Sequence, residues 1–431
     1  MFRKFSAVVR WSLVLIGIYI LFQILNGFYA IVSGGSFTDL IWFFAGDLHE
    51  DRENRTNFLL LGTGGENTDG GGGQLTDSIL VASYNHEFNT LSMLSIPRDF
   101  WVESEDGVGM RINKIYEYEK ARFGDSEEAL ESVAEIASAI ANLPIHYFAK
   151  IDFTAFTDFV DVVGGVKVVV REAIDDPFYP CDDLIEFCPF QLAAGVHVLD
   201  GETALKFARS RKTTSDFDRA ARQQKIIEAL RERAFEKEIL TSPSKMKDIW
   251  DIFDERVETN LRFREILMLG KIADEFDKQN LATIVLNDEP TFPGGILYPP
   301  NREDFAGAAV LLPLGDSFQR IHALTAILFD HPVVAVEQRA IEVLNGSGRG
   351  GIAERAAYAL NRYGLNTARI NNFPGDNLAK TTIYIYDESS RETAKMLQNF
   401  TGGEIEFGPV ELRRRGFDVS LVLGEDWQEI Q

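Results

Sequence analysis

The stretch YFAKIDFTAFTDFVDVVGGVKVVV, residues 147–170, decides the fold class. It opens with a short strand-like run and continues with Phe153, Phe156, Phe159 and Val163 at helical spacing. It turns at Gly164 and Gly165 and closes in a β-branched run. Strand, helix, glycine turn and strand make the rhythm of a layered α/β domain. Toward the N-terminus, NFLLLGTGG (57–65) reads as a buried strand running into a glycine loop. DSILVASYN (77–85) and NTLSMLSIPRD (89–99) read as the next two strands, their aliphatic content suiting a covered sheet. DSEEALESVAEIASAIANL (125–143) sets Leu130, Val133, Ala137 and Ile140 on one helical face, with Asp125 and Glu128 forming a capping box.

Residues 240–331 alternate between helical (LRFREILMLGKIADEF, 261–276) and strand-like runs (ATIVLN, 282–287; GAAVLLPL, 307–314) and are assigned to the same domain. The pattern resets near 331–338. AIEVLNGSGRGGIAERAAYALNRYG (340–364) is strand, glycine turn and helix, followed by the strand TTIYIYD (381–387) and a helix around 392–400. The expected division is a first α/β domain over 55–331, a linker at 332–338 and a small second α/β domain over 339–425.

The chain of 431 residues carries 66 Asp and Glu against 43 Lys and Arg, a formal net charge of -23. Such a balance argues against a nucleic-acid binder, which presents cations to phosphate backbones. Arg3, Lys4 and Arg10 precede residues 11–32, which hold no Asp, Glu, Lys, Arg or His and are long enough to span a hydrocarbon core of about 30 Å. The expectation is a cytoplasmic N-terminus (1–10), a transmembrane helix (11–32), a juxtamembrane linker (33–54) and everything else outside. A cleaved signal peptide is the rival, but this apolar run exceeds a typical signal core. Cys181 and Cys188 are the only cysteines, and an oxidising exterior makes them an expected disulfide. Without neighbouring histidines they form a poor zinc site.

Against this acidic background, FARSRKTTSDFDRAARQQK (207–225) gathers Arg209, Arg211, Lys212, Arg219, Arg222 and Lys225 against only Asp216 and Asp218. A helix is expected from about 216, with Arg219, Arg222 and Gln223 on one face. Arg209 and Arg211, two apart, point the same way if the segment is extended. Converging guanidinium forks suit phosphate oxygens, while a solvated basic face paired with acids elsewhere is the plainer alternative. Asp77, Arg98 and Asp99 sit at strand ends, where α/β proteins place ligand chemistry and where ordinary salt bridges also occur. An acid there holds Mg²⁺ against phosphate or orients an attacking hydroxyl.

Taken in order, NFLLLGTGG, LTDSILVASYN, LSMLSIPRDFWV, RINKIYEYE, residues 147–166 and LDGETALKFARSRKTTSDFDRAARQQK resemble the successive motifs of the LytR-CpsA-Psr family. The likeness spans about 57–230, and residues 341–365 are similar to the LytR C-terminal domain. The resemblance implies a three-layer α/β/α catalytic domain with a central mixed sheet. It also implies a membrane-anchored phosphotransferase outside the cell, moving a glycopolymer from a polyprenyl-pyrophosphate carrier to a peptidoglycan hydroxyl. On it, Arg98, Arg209, Arg211, Arg219 and Arg222 clamp the pyrophosphate beside Gln223. Asp77 binds Mg²⁺ or Mn²⁺, with Asp99, Asp216 and Asp218 as further acids. Phe153, Phe156, Phe159 and Val163 are candidates for the lipid slot, with core packing the plainer use of each. Two positions depart from the family pattern: Gly64 stands where a metal-binding Asp is usual, and Leu75 where an arginine is usual. Glu66 and Asp69 are the nearby acids able to substitute. A lipid pyrophosphatase and a non-catalytic polymer binder are the alternatives.

Other signals carry less. The glycine loop after residue 62 lacks the GK[ST] of a P-loop. GSGRGG (346–351) matches a dinucleotide fingerprint but has no acid closing the following strand, so a tight turn is expected. The histidines show no metal-ligand spacing, and no GxSxG elbow is present.

Overall fold

The three apolar runs fold as β1 (Arg55–Thr63), β2 (Thr76–Asn85) and β3 (Thr90–Ile96). The computed structural model describes residues 46–64, 74–179, 187–210, ten positions between 222 and 239, 242–315 and 317–429. A short hairpin of β4 (Trp101–Glu103) and β5 (Gly109–Arg111) leads to helices α1 (Ile115–Phe123) and α2 (Ser126–Ala141). Asp125 caps α2 by accepting from the Glu127 and Glu128 amides, and Leu130, Val133, Ala137 and Ile140 are buried as the periodicity requires. The 147–170 stretch folds as β6 (Tyr147–Asp152), α3 (Phe153–Val162) and β7 (Val166–Val170), with Gly164 and Gly165 at φ +87° and +86°. Next come β8 (Ile174–Asp176), β9 (Phe190–Leu192), β10 (Gly195–Leu199), α4 (Gly201–Arg209), α5 (Pro243–Arg256) and β11 (Val257–Thr259).

The central sheet is mixed, in the order β11-β6-β1-β2-β3-β12, with β12 at Leu281–Val285. β1 pairs parallel with β6, β3 pairs parallel with β12, and β2 runs against both its neighbours. Leu59, Leu61, Ile79, Val81, Leu94 and Ile96 face one large core shared with α1 and α2. The alternate residues face the other way, where Leu60, Ile151 and Val285 are 37%, 41% and 49% exposed. A second core gathers Val160, Val166, Val168, Phe190, Leu199 and Phe207 from α3, α4, the β7–β10 ribbon and β9 of the β8–β9 ribbon. Residues 46–49 and 261–276 form a separate small unit, in which the Gly46 amide donates to the Arg264 carbonyl and α6 spans Phe263–Glu275.

Three expectations change. Arg209 ends helix α4, capped at its start by Asp200 on the Thr203 amide, so it does not lie in an extended segment with Arg211. GAAVLLPL forms only the two-residue strand β14 (Leu312–Pro313) against β13 (Leu297–Tyr298), because Pro313 has no ladder donor. After α7 (Gln319–Thr325), the expected linker 332–338 contains the helix α8 (Pro332–Glu337), with Pro332 in its first turn and Val334 and Ala335 in the large core. The apolar segment 11–32 and the helix expected from 216 lie outside the described residues. Among the described residues no helix is long and apolar enough to cross a membrane.

The C-terminal region folds as β15 (Ile341–Asn345), α9 (Ile352–Arg362), β16 (Thr367–Asn372), β17 (Thr382–Ile385), α10 (Arg391–Thr401), β18 (Glu404–Phe407) and β19 (Val419–Leu423). Its sheet order is β16-β15-β19-β17-β18. The GSGRGG turn is pinned by Asn345, whose amide donates to the Arg349 carbonyl at 2.7 Å. Ile341, Val343, Leu360, Ile383 and Leu421 belong to the same core as the central sheet. Asn361 donates to the Thr291 carbonyl at 2.6 Å and the Gly294 amide donates to Arg362 at 2.8 Å, so the end of α9 grips the loop after β12.

Two contacts set testable limits on stability. A Cβ on Gly201 would lie 2.2 Å from the Thr157 carbonyl oxygen, so α3 and α4 touch backbone to backbone. Gly201→Ala is expected to lose about 1–3 kcal/mol in urea unfolding by forcing the helices apart. At the start of β1, buried Arg55 pairs with Asp51 at 2.9 Å and also with Asp330. Burial pushes the Asp51 carboxyl up, but the Glu53 and Arg55 amides and the Arg55 guanidinium outweigh it and hold it below the usual range. A carboxyl lowered on folding stabilises above its unfolded pKa of about 3.9 and loses that contribution as pH falls toward its folded value. Arg55→Met is expected to destabilise by about 3–5 kcal/mol and to move acid unfolding to higher pH, both read by circular dichroism.

Candidate functional site

Because β1, β3, β6 and β12 run together, their carboxyl ends share one edge of the sheet with the start of β2. Thr63 lies beside both Thr76 and Asp152 there. Asp77, the residues after Ile96 and the start of α3 therefore meet at one edge, the place where open α/β sheets bind ligands. One strand, β1, separates β2 from β6, so the two groups stand about 10 Å apart across the sheet.

After β3 the chain turns at Pro97, whose carbonyl accepts from the Phe100 amide, and buried Phe100 anchors the turn. The β4–β5 hairpin brings the chain back so that Trp101 pairs with Arg111, and the Asn113 amide donates to the Arg98 carbonyl. Four charged side chains and one amide interlock as a result. Arg98 Nη1 donates to Asp77 Oδ1 at 3.3 Å, and its Nε lies 3.7 Å from Asp99 Oδ2. Arg111 Nη1 donates to Asp99 Oδ1 at 3.0 Å, and Asn113 Nδ2 donates to Asp77 Oδ1 at 3.3 Å. Arg111 and Asn113 were given no role by sequence reasoning, although RINK is one of the family-like motifs. The side chains of Arg98 and Asp77 remain close to half exposed, open to a ligand.

Arg209 is held differently. Its guanidinium carbon lies 4.3 Å from the Phe153 ring centroid and 5.8 Å from that of Tyr179, and Nη1 donates to Tyr179 Oη at 3.5 Å. Among the described residues it has no carboxylate partner. Aromatic faces hold a cation without neutralising it. Arg222 is buried instead: Nε donates to the Phe207 carbonyl at 3.0 Å and Nη2 to the Ser210 carbonyl, which caps the end of α4. Arg211, Arg219, Gln223, Asp216, Asp218, Glu66, Asp69 and Cys181 lie outside the described residues. Cys188 is disulfide-bonded.

Of the apolar candidates, Phe153 lies against Arg209, and Phe156 packs on the second core. Phe159 is half-buried on α3. Val163 is fully buried, and its carbonyl accepts from Arg233 Nε at 2.8 Å. The exposed sheet residues Leu60 and Ile151 were missed, although the alternation of β1 and β6 marks them.

Among the described residues no three His, Cys, Asp or Glu side chains cluster as a metal cage. A Mg²⁺ site needs less: one or two carboxylates suffice when substrate phosphates complete the shell. Asp77 is a carboxylate of this kind, and Asn113, whose Nδ2 donates to it, has its Oδ1 buried without a hydrogen-bond partner, an oxygen of the chemistry such a site would use. Gly64, at the end of β1, brings no acid of its own.

The LytR_cpsA_psr family model matches residues 44–306, and the model described as LytR cell envelope-related transcriptional attenuator matches residues 338–427. The polyisoprenyl-teichoic acid–peptidoglycan teichoic acid transferase TagV of Bacillus subtilis (strain 168) is 31% identical over 222 residues, 51% of this chain. The transferase of the same description named TagU, from Oceanobacillus iheyensis, is 32% identical over 213 residues, 48% of this chain. The chain spans 53% and 60% of the lengths of these two relatives. The crystal structure of B. subtilis TagV aligns with a TM-score of 0.46 at 25% identity, covering 65% of this chain and 99% of that one. With its first model covering well over half of the sequence, the chain belongs to the LytR_cpsA_psr family.

Proposed function

We propose that this protein is a phosphotransferase that moves a glycopolymer from a polyprenyl-pyrophosphate carrier to a hydroxyl of peptidoglycan. One observation carries the reading: Arg209, a cation held by aromatic faces without a carboxylate partner among the described residues, stands at the strand edge that also bears Asp77, Arg98, Asp99 and Arg111. The names of the relatives, transferases of teichoic acid to peptidoglycan, support the substrate class. The acceptor oxygen attacks the phosphorus bearing the glycan, the bridging P–O bond breaks, and polyprenyl phosphate leaves with that electron pair. Asp99, or Asp77 where no cation occupies it, takes the hydroxyl proton. Arg98 and Arg209 spread the charge of the reacting phosphates, which is most of what such a transfer requires.

Asp77, with the Asn113 amide oxygen next to it, would hold Mg²⁺ or Mn²⁺, and the ion would supply further neutralisation of the pyrophosphate. The polyprenyl chain would follow Phe153, Phe159 and the exposed Leu60–Ile151 face. The same reading carries the three-layer α/β/α arrangement and a single helix at 11–32 that anchors the protein with its domains outside the cell.

The full-length chain in detergent, given a polyprenyl-pyrophosphate glycan, Mg²⁺ and peptidoglycan, is expected to release polyprenyl phosphate only with acceptor present. Arg209→Ala is expected to lower kcat/KM by about 10²–10³-fold. Release without acceptor would identify a pyrophosphatase. Binding with neither release nor transfer would identify a carrier, the role that Gly64 and Leu75 favour.

A further inference from the structure

Tyr179 belongs to the second core, and with Asp176 it braces the end of α4 at two points. Tyr179 is 4% exposed; its ring packs with Phe190 at 6.1 Å between centroids and meets the Arg209 guanidinium. Three residues earlier, buried Asp176 accepts from Ser210 Oγ at 2.9 Å, fixing the residue after Arg209. The Tyr179 carbonyl accepts from the amide of the disulfide-bonded Cys188 at 2.8 Å, which fixes its backbone.

A guanidinium has two apolar faces and a rim of N–H donors. The Phe153 ring 4.3 Å away and the Tyr179 phenol on one N–H restrict how it turns while leaving the rest of that rim for an anion. An arginine on the last turn of a helix would otherwise sample many rotamers and pay their entropy on binding. Resting on the function proposed above, we infer that Tyr179 is a positioning residue of the pyrophosphate site. With Phe153 it fixes the plane of Arg209 so that the N–H rim is set for a phosphate fork before ligand arrives. Its phenol accepts one N–H and leaves the others for the ligand.

The test is a mutant cycle on the full-length chain in detergent, with farnesyl diphosphate as the probe and calorimetry as the readout. Tyr179→Leu is expected to weaken binding about tenfold, and Tyr179→Phe, which keeps the ring, to recover most of it. In an Arg209→Lys background, where no planar group remains to be set, Tyr179→Leu is expected to change affinity less than twofold. A merely structural role would weaken binding equally in both backgrounds, and that result overturns the inference. So does wild-type affinity in Tyr179→Leu. If Tyr179→Leu fails to fold, Phe153→Leu is carried through the same cycle with inorganic pyrophosphate as the probe, which has no chain to meet the lipid path, and with the same expectations. Absence of farnesyl diphosphate binding by the wild type, with the chain folded by circular dichroism, would instead remove the proposed function.

Discussion

The arrangement of the site rests on the reversal of one strand. β2 runs against β1 and β3 while the other central strands, β11 apart, run with them. The chain can therefore leave β1, cross a loop and re-enter the sheet at the same edge, placing Asp77 beside the exits of β3 and β6. A parallel β2 would carry Asp77 to the far edge, away from Arg98. Register matters as much as direction. A slip of one residue would expose Ile79 and Val81, turn Ser78 and Leu80 inward, and move Asp77 off the side where Arg98 and Asn113 reach it. The burial of Ile79 and Val81 thus fixes where a solvent-exposed carboxylate points.

Arginine is used in three ways within this one domain. Arg98 and Arg111 are cross-linked to Asp77 and Asp99, an arrangement a polyanion can enter only by exchanging partners. Arg209 rests on aromatic rings and keeps its charge available. Arg222 is buried, and its N–H groups serve backbone carbonyls that the end of a helix leaves without amides. These differences follow from neighbours rather than residue type, since a buried guanidinium must find acceptors and a half-exposed one can wait for them.

What could be read in the sequence was whatever depends on local period. The apolar runs of 57–65 and 77–85, the helical face of 125–143 and the glycine turn after α3 all reappear as elements, because each is dictated within a few residues. The two acids and Arg98 at strand ends were visible for the same reason. Arg111 and Asn113 were hidden because their approach to Asp99 and Asp77 needs a hairpin whose strands are only three residues each, too short for a period to show. Tyr179 was hidden because its partner is 30 residues away and its ring looks like any core aromatic. The helical basic face expected around Arg222 is a reminder that spacing gives direction but not burial: Arg222 turns inward to the end of α4.

The core that fills the central sheet continues without a break into the C-terminal region, through Ile341, Val343, Leu360 and Leu421, and the end of α9 grips the loop after β12. Two regions that share an interior share a melting transition. A ligand captured by the C-terminal sheet raises the unfolding free energy of the whole by RT ln(1 + [L]/Kd), and the strand edge inherits that protection without being touched. The appended region is in this sense a ballast: whatever it binds also sets how firmly the rest of the protein stays folded.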